Sequence, residues 1–244
     1  MGDQGPSAGS METRRTRFPF GALADRAYLL SVISLDWRRA AGFSALVTPL
    51  LMWSDFLSMA SLRHGYNLLT RPFSDLATRG TPHADIFALG FFFLPGLLTI
   101  VLGVGLFLGI RGGRMWRAGA VLVMLTGIFM MAVGAFPQDP HSYIAGVLHG
   151  TMAQICFGIA AGAPLLLLAG SRNHPHIAPP RRLWLMAGIG ALAIEAFGLF
   201  VKPLMHYPDG VFQRPFTLVL TIWFVATGAW LLRGRHLGGL SVPA

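Results

Sequence analysis

The chain has 244 residues, 54% of them hydrophobic and only 12% charged, with a formal net charge of +9 and a mean hydropathy of +0.58. Soluble domains carry roughly twice that charged fraction, so a soluble globular class is excluded. A nucleic-acid-binding class is excluded with it, because the arginines flank apolar runs instead of gathering in a basic domain.

In chain order, residues 1–20 are rich in Gly, Ser, Thr and Arg without apolar periodicity, which predicts a disordered basic tail. Arg14-Arg15 lacks the following apolar core of a twin-arginine signal and reads as a basic flank. Over 21–39 short apolar groups alternate with Asp25, Arg26, Asp36 and Arg38, as in an amphipathic helix lying on a membrane surface. The six-helix domain then covers 40–233, and 234–244 form a tail. Its predicted spans are 40–62, 85–110, 116–136, 143–170, 183–205 and 211–232, each near the roughly 20 residues a bilayer requires. Pro95 predicts a kink in the second. In the fourth, Gly146 and Gly150, then Gly158 and Gly162, have the small-xxx-small spacing of close helix contacts, which predicts a central position in the bundle. The one cysteine, Cys156, lies within this span and allows no internal disulfide.

The expected fold is therefore all-α, a polytopic membrane bundle of six transmembrane helices. The tail, the second-to-third and fourth-to-fifth loops and the C-terminus hold 14 of the Lys and Arg residues, against 5 on the opposite side. Positive-inside then predicts a multi-pass plasma-membrane protein with both termini cytoplasmic.

The 71–87 stretch between the first two spans carries Arg71, Ser74, Asp75, Arg79, His83 and Asp85, and its prolines, Pro72 and Pro82, oppose a continuous helix. It reads as an ordered loop forming the lid or floor of a polar site. Beyond the tail and surface helix, all six acids lie in spans or on this side: Asp55, Asp75, Asp85, Asp139, Glu195 and Asp209. His64, His83, His141, His149 and His206 join them. From the rise per residue, Asp55 lies roughly 10 Å and Glu195 roughly 15 Å below the outer helix ends. Glu195, Gly198, Lys202 and His206 share a helix face. An ionised group facing lipid costs about 2.5–3.5 kcal/mol on the insertion scale, so that face must turn inward.

Two readings follow. In one, Arg214 or Lys202 pairs with Asp55 or Glu195 as structural glue, and His149 bonds a neighbouring helix. In the other, an outward-opening polar crevice holds a ligand or a metal. Candidate metal ligands are His83, Asp139, His141 and His149, since zinc takes about three such ligands plus water, but no HExxH or Cys pair fixes the spacing. There is no GxSxG elbow either, and Ser74 forms a nucleophile–base pair only if folding brings a remote histidine to it.

Pro72-Phe73-Ser74-Asp75, Phe136-Pro137-Gln138-Asp139, His149 and Gly210-Val211-Phe212-Gln213-Arg214 with Trp223 beyond, in this order relative to the spans, resemble the domain of unknown function 998 family of prokaryotic membrane proteins. More distantly, Ser74-Asp75 with Pro82 and Phe87 is similar to DRAM-type proteins and their relatives in GPI-anchor lipid remodelling. Ala77 stands where those motifs carry a glycine. The resemblance implies six helices and, through the distant relatives, lipid handling.

The first functional expectation is thus an outward crevice that binds a lipid or lipid-linked head group, with hydrolysis or transfer of an acyl group as its chemistry. Asp75, Asp139 and His149 are the candidate catalytic groups, and Ser74, Arg214 and Glu195 the candidate substrate-binding ones. The alternative is a non-enzymatic accessory factor with a membrane-protein partner, or a small-solute or proton-coupled carrier using Glu195.

Overall fold

A computed structural model describes residues 20–172, 174, 177–201, 204 and 208–233, with side chains from Trp37 onward. The expected disordered tail, the amphipathic face over 21–36, Lys202, His206 and the C-terminal tail lie outside those residues or side chains.

Among the described residues the fold is all-helical, and six helices are long and apolar enough to cross a membrane. Helix α1 (Phe20–Leu62) runs without a break into the first span, Trp37–Leu62. Helix α2 (Ala84–Gly109) contains a π turn over Ala88–Phe93. The others are α3 (Arg114–Ala135), α4 (Tyr143–Ser171), α5 (Arg181–Val201, ending in a π turn over Phe197–Val201) and α6 (Asp209–Arg233). The π turn of α2 ends just before Pro95. Proline supplies no N–H for the preceding turn, and a widened turn accommodates the loss.

The helices form a ring. Each packs on its sequence neighbours and α6 closes the ring against α1, whereas α4 and α6 barely touch across it. Small residues set the closest seams. A Cβ on Gly127 of α3 would stand 2.4 Å from the Gly96 carbonyl oxygen of α2, and one on Gly228 would stand 2.8 Å from the Gly42 carbonyl oxygen. Helix α4 is not central, contrary to the reading of its glycines. A Cβ on Gly146, Gly150 or Gly158 would meet no atom within 4 Å. The spacing marks a face that tolerates close approach, but among the described residues only Gly162 has a neighbour, with a Cβ there 3.6 Å from Leu122.

One end of the ring is filled. Trp116, Trp184 and Trp223 are buried there with Trp230 packed against them, and Trp184 lies 6.2, 5.9 and 5.7 Å from the other three rings. Alanines of α1, α3, α4 and α5 and leucines of α2 fill the gaps between these rings, so this layer joins all six helices. The opposite end is built differently. The 63–83 connection folds back over the ring mouth as a plug, whose 3-10 turn Phe73–Ala77 buries Phe73, Ser74, Leu76 and Ala77. Pro72 fixes the extended entry to that turn, with φ −65° and ψ 156°. Phe73 lands among Phe56, Phe87, Phe91 and Phe92, with the Phe56 ring 4.6 Å and the Phe91 ring 4.9 Å away.

Candidate functional site

Between the tryptophan layer and the plug lies a cavity of about 100 Å³. One water needs roughly 10–15 Å³ of such space, so the void is of ligand scale. No Asp, Glu, Lys or Arg lines it among the described residues. Its walls are mostly Phe, Met, Leu, Val and Ala, and several polar atoms on them are already committed. The Thr126 hydroxyl donates to the Leu122 carbonyl at 2.9 Å, and Trp53 donates to the Thr221 hydroxyl at 2.8 Å. The Cys156 thiol points to the Thr126 carbonyl at 3.6 Å.

Polar side chains gather at the plug end. Ser74 enters from the roof, His149 from the second turn of α4 and Gln213 from the start of α6, and all three line the cavity. The hydrogen bonds they make fix their chemistry. His149 Nδ1 lies 2.8 Å from the Phe136 carbonyl oxygen, which can only accept. In the neutral ring Nδ1 therefore carries the proton and Nε2 carries the lone pair. The Gln213 Oε1 accepts from the Phe73 backbone N–H at 3.1 Å. Its amide NH₂ remains as the donor end. Ser74 and His149 thus share one cavity, with no hydrogen bond between them.

A second set of groups clips the plug in place without lining the cavity. The Arg214 guanidinium stands 4.9 Å from the Phe73 ring centre and 5.4 Å from that of Phe56. It donates to the Arg71 carbonyl and, at 3.2 Å, to the Tyr66 hydroxyl. Tyr66 in turn donates to the Pro72 carbonyl at 2.8 Å, and the Gly210 N–H to the Thr70 carbonyl at 3.0 Å. Arg63 donates to the Asp75 carbonyl, and Arg71 pairs with the Asp75 carboxylate at 3.7 Å. Burial pushes the Asp75 carboxyl above its ordinary range, and the neighbouring Arg71, Arg63 and Arg214 pull it back only in part. Burial likewise raises the Tyr66 phenol, and Arg214 opposes it.

The predicted site residues therefore separate. Ser74 and His149 meet at one cavity. Asp75 and Arg214 belong to the clip, so Arg214 holds backbone where the sequence suggested an anionic head group. Asp139 accepts from Arg79 at 3.2 Å and from the His141 backbone N–H at 2.9 Å, and the Arg79 N–H donates to the Gln138 carbonyl at 2.8 Å. These bonds fasten the plug to the α3–α4 connection. Glu195 is buried on α5 one residue before Ala196 and the π turn, outside the cavity lining, and its Oε2 has no hydrogen-bond partner among the described residues. Asp55 lies against Gly90, where a Cβ would stand 2.7 Å from its carboxyl carbon. Neither acid forms an ion pair with Arg214. His83 turns the chain into α2 with φ 61°. Among the described residues no three His, Cys, Asp or Glu side chains gather to hold a metal, so His83, Asp139, His141 and His149 do not form the ligand set considered from the sequence.

Gln213 and Tyr66 carry weight that residue-type reasoning did not assign them. Gln213 is an amide inside an apolar span, and such a group needs a partner in lipid. That was its signal.

No curated protein and no solved structure matches the chain. The family model described as "Protein of unknown function (DUF998)" matches residues 46–230, which takes in every helix of the ring and the whole plug, and the chain belongs to that family.

Proposed function

We propose that the cavity receives the hydrocarbon chain of a membrane lipid, with the lipid's polar end held beneath the plug by Ser74, His149 and Gln213. The observation that carries this reading is the lining: apolar along its depth, uncharged throughout, and polar at one end. From Gln213 to Phe224, both on the wall, α6 rises by roughly 16 Å, the dimension of a chain and not of a compact solute. The Lys and Arg distribution assigns the plug end to the outside of the plasma membrane, with both termini cytoplasmic.

An exposed, glycine-bearing face of α4 beside the cavity supports the same reading. Leu165 packs against Gly188 of α5, and Ala161 lies in one cluster with Ala191 of α5. Stepping back seven or eleven residues returns to that face of α4, at Gly158, Gln154 and Gly150. There the face is exposed, with open space beyond the glycines. A chain would pass from the bilayer between the outer halves of α4 and α5, past Gly150 and beside His149.

The test is native mass spectrometry of the full chain purified in mild detergent, with the bound lipid identified. Gly150→Phe should fold, because nothing occupies the added volume, and should lose most bound lipid; Ala153→Phe should do the same by filling the cavity. Wild-type lipid occupancy in both folded variants would refute the reading.

A further inference from the structure

We propose that Ser74, His149 and Gln213 form an acyl-transfer site whose substrate is an ester-linked lipid chain lying in the cavity. This rests on the lipid-binding reading and deepens it by naming the bond that reacts. The roles follow from what each side chain has left to give. His149 spends its Nδ1 proton on the Phe136 carbonyl, which orients the ring as a carboxylate does in serine hydrolases and leaves Nε2 to take a proton. Gln213 spends its Oε1 on the Phe73 N–H, the residue before Ser74, which presents the NH₂ toward the cavity as an oxyanion donor. Ser74 is held in the plug's 3-10 turn by the bonds on either side of it, with the Asp75 N–H on Pro72 at 3.3 Å and the Thr78 hydroxyl on the Ser74 carbonyl at 3.3 Å. The site is also walled by Phe73, Phe91 and Phe92, a low-dielectric surround that strengthens each hydrogen bond made within it.

The step balances within these groups. The Ser74 Oγ attacks the ester carbonyl carbon while its proton passes to His149 Nε2, and the carbonyl oxygen takes the negative charge facing the Gln213 NH₂. The C–O bond to the alcohol then breaks, and the alkoxide leaves with the proton from Nε2. Water attacks the acyl-serine to release a carboxylic acid, or a second lipid hydroxyl attacks to complete a transfer. Either nucleophile gives its proton to Nε2, and Ser74 recovers it. No metal or redox partner enters the balance. No charged side chain is required in the cavity either, in agreement with its lining.

The probe is hexadecyl fluorophosphonate, which places a long chain in the cavity and phosphonylates an activated serine. With full-length protein in nanodiscs, peptide mass spectrometry should find the adduct on Ser74, and Ser74→Ala should remove it. His149→Gln should slow labelling by about a hundredfold or more, as expected for losing a general base. Gln213→Glu is the sharper variant. It keeps an acceptor for the Phe73 N–H, so the plug stays shut, but it removes the NH₂ and places an oxygen where charge develops. It should slow labelling by about 10²–10³-fold, read on the fraction that remains folded by size exclusion because a buried carboxyl also costs stability. Bound native lipid without any Ser74 adduct would overturn the chemistry and leave lipid binding standing. Absence of both lipid and adduct would overturn both readings. An adduct formed equally fast in His149→Gln and Gln213→Glu would show an unassisted serine, and the assigned site would fall.

Discussion

Removing Arg214 should open the plug while leaving the helix ring intact. The guanidinium makes two hydrogen bonds, to the Arg71 carbonyl and the Tyr66 hydroxyl, and lies over two aromatic rings. A hydrogen bond to a charged group contributes about 1.5–3 kcal/mol, and a cation over a ring about 0.5–1 kcal/mol. Against these, Nε and Nη1 are buried without partners, each costing about 1–3 kcal/mol. The balance is a net clip strength of about 2 kcal/mol, or roughly thirtyfold in the opening equilibrium. Hydrogen exchange reads this directly, because amide protection in a locally opening unit tracks its opening free energy. In Arg214→Ala the amides of Phe73, Asp75 and Thr78 should exchange about thirtyfold faster, while those of α2 and α3 keep their rates. Arg214→Lys keeps the charge over the rings but not the planar fork, and should fall between. If Arg214→Ala changes plug exchange by less than about threefold, the plug is held by its own packing and the clip assignment is wrong.

Gly127→Leu should prevent accumulation of folded protein, because the new Cβ alone would meet the Gly96 carbonyl oxygen at 2.4 Å and the Ile100 backbone nitrogen at 2.9 Å, and backbone at a helix seam cannot move aside. The measurement is the folded fraction by size exclusion, with Gly150→Phe as the tolerated control; equal yields would refute the seam. Asp75 makes the plug sensitive to pH. Burial raises its carboxyl above 3.8, so the folded plug holds that proton more tightly than the unfolded chain. The contribution is present in full below pH 3.8 and is lost as pH rises through the higher folded value. Plug exchange relative to Asp75→Asn, compared at each pH, should therefore increase with pH over that window, and a flat ratio would refute it.

The fold was largely legible because bilayer energetics leaves few solutions. All six spans begin within three residues of the positions read from hydropathy. The 71–87 stretch was legible as a lid for the same reason. Its prolines forbid a seventh span, and its charges forbid lipid. Residue pairing was not legible. Arg214 and Glu195 look like partners on charge alone, yet Arg214 donates through Nη2 to a backbone oxygen and a phenol, which no charge pattern announces. The Asp55 contact depends on Gly90 lacking a side chain at a π turn, a feature invisible to helical periodicity of 3.6. The glycines of α4 misled because small-xxx-small spacing reports available space, and available space does not require a neighbour to fill it. The meeting of Ser74 with His149 needed the plug to fold back across the ring, and only the tertiary path decides that.

The asymmetry between the two ends of the ring bears on which class of activity suits it. A carrier must expose one site alternately to both sides, which calls for a layer that parts on each side of the site. The plug end qualifies, since the connection between α1 and α2 covers it and a handful of hydrogen bonds clips it. The tryptophan end does not. Trp116, Trp184, Trp223 and Trp230 come from three helices, and the Trp116 indole is tied to the Leu106 carbonyl of a fourth at 2.8 Å. Parting that layer would expose several large rings at once. A chamber with a packed floor and a clipped roof therefore lacks the second parting layer that alternating access needs.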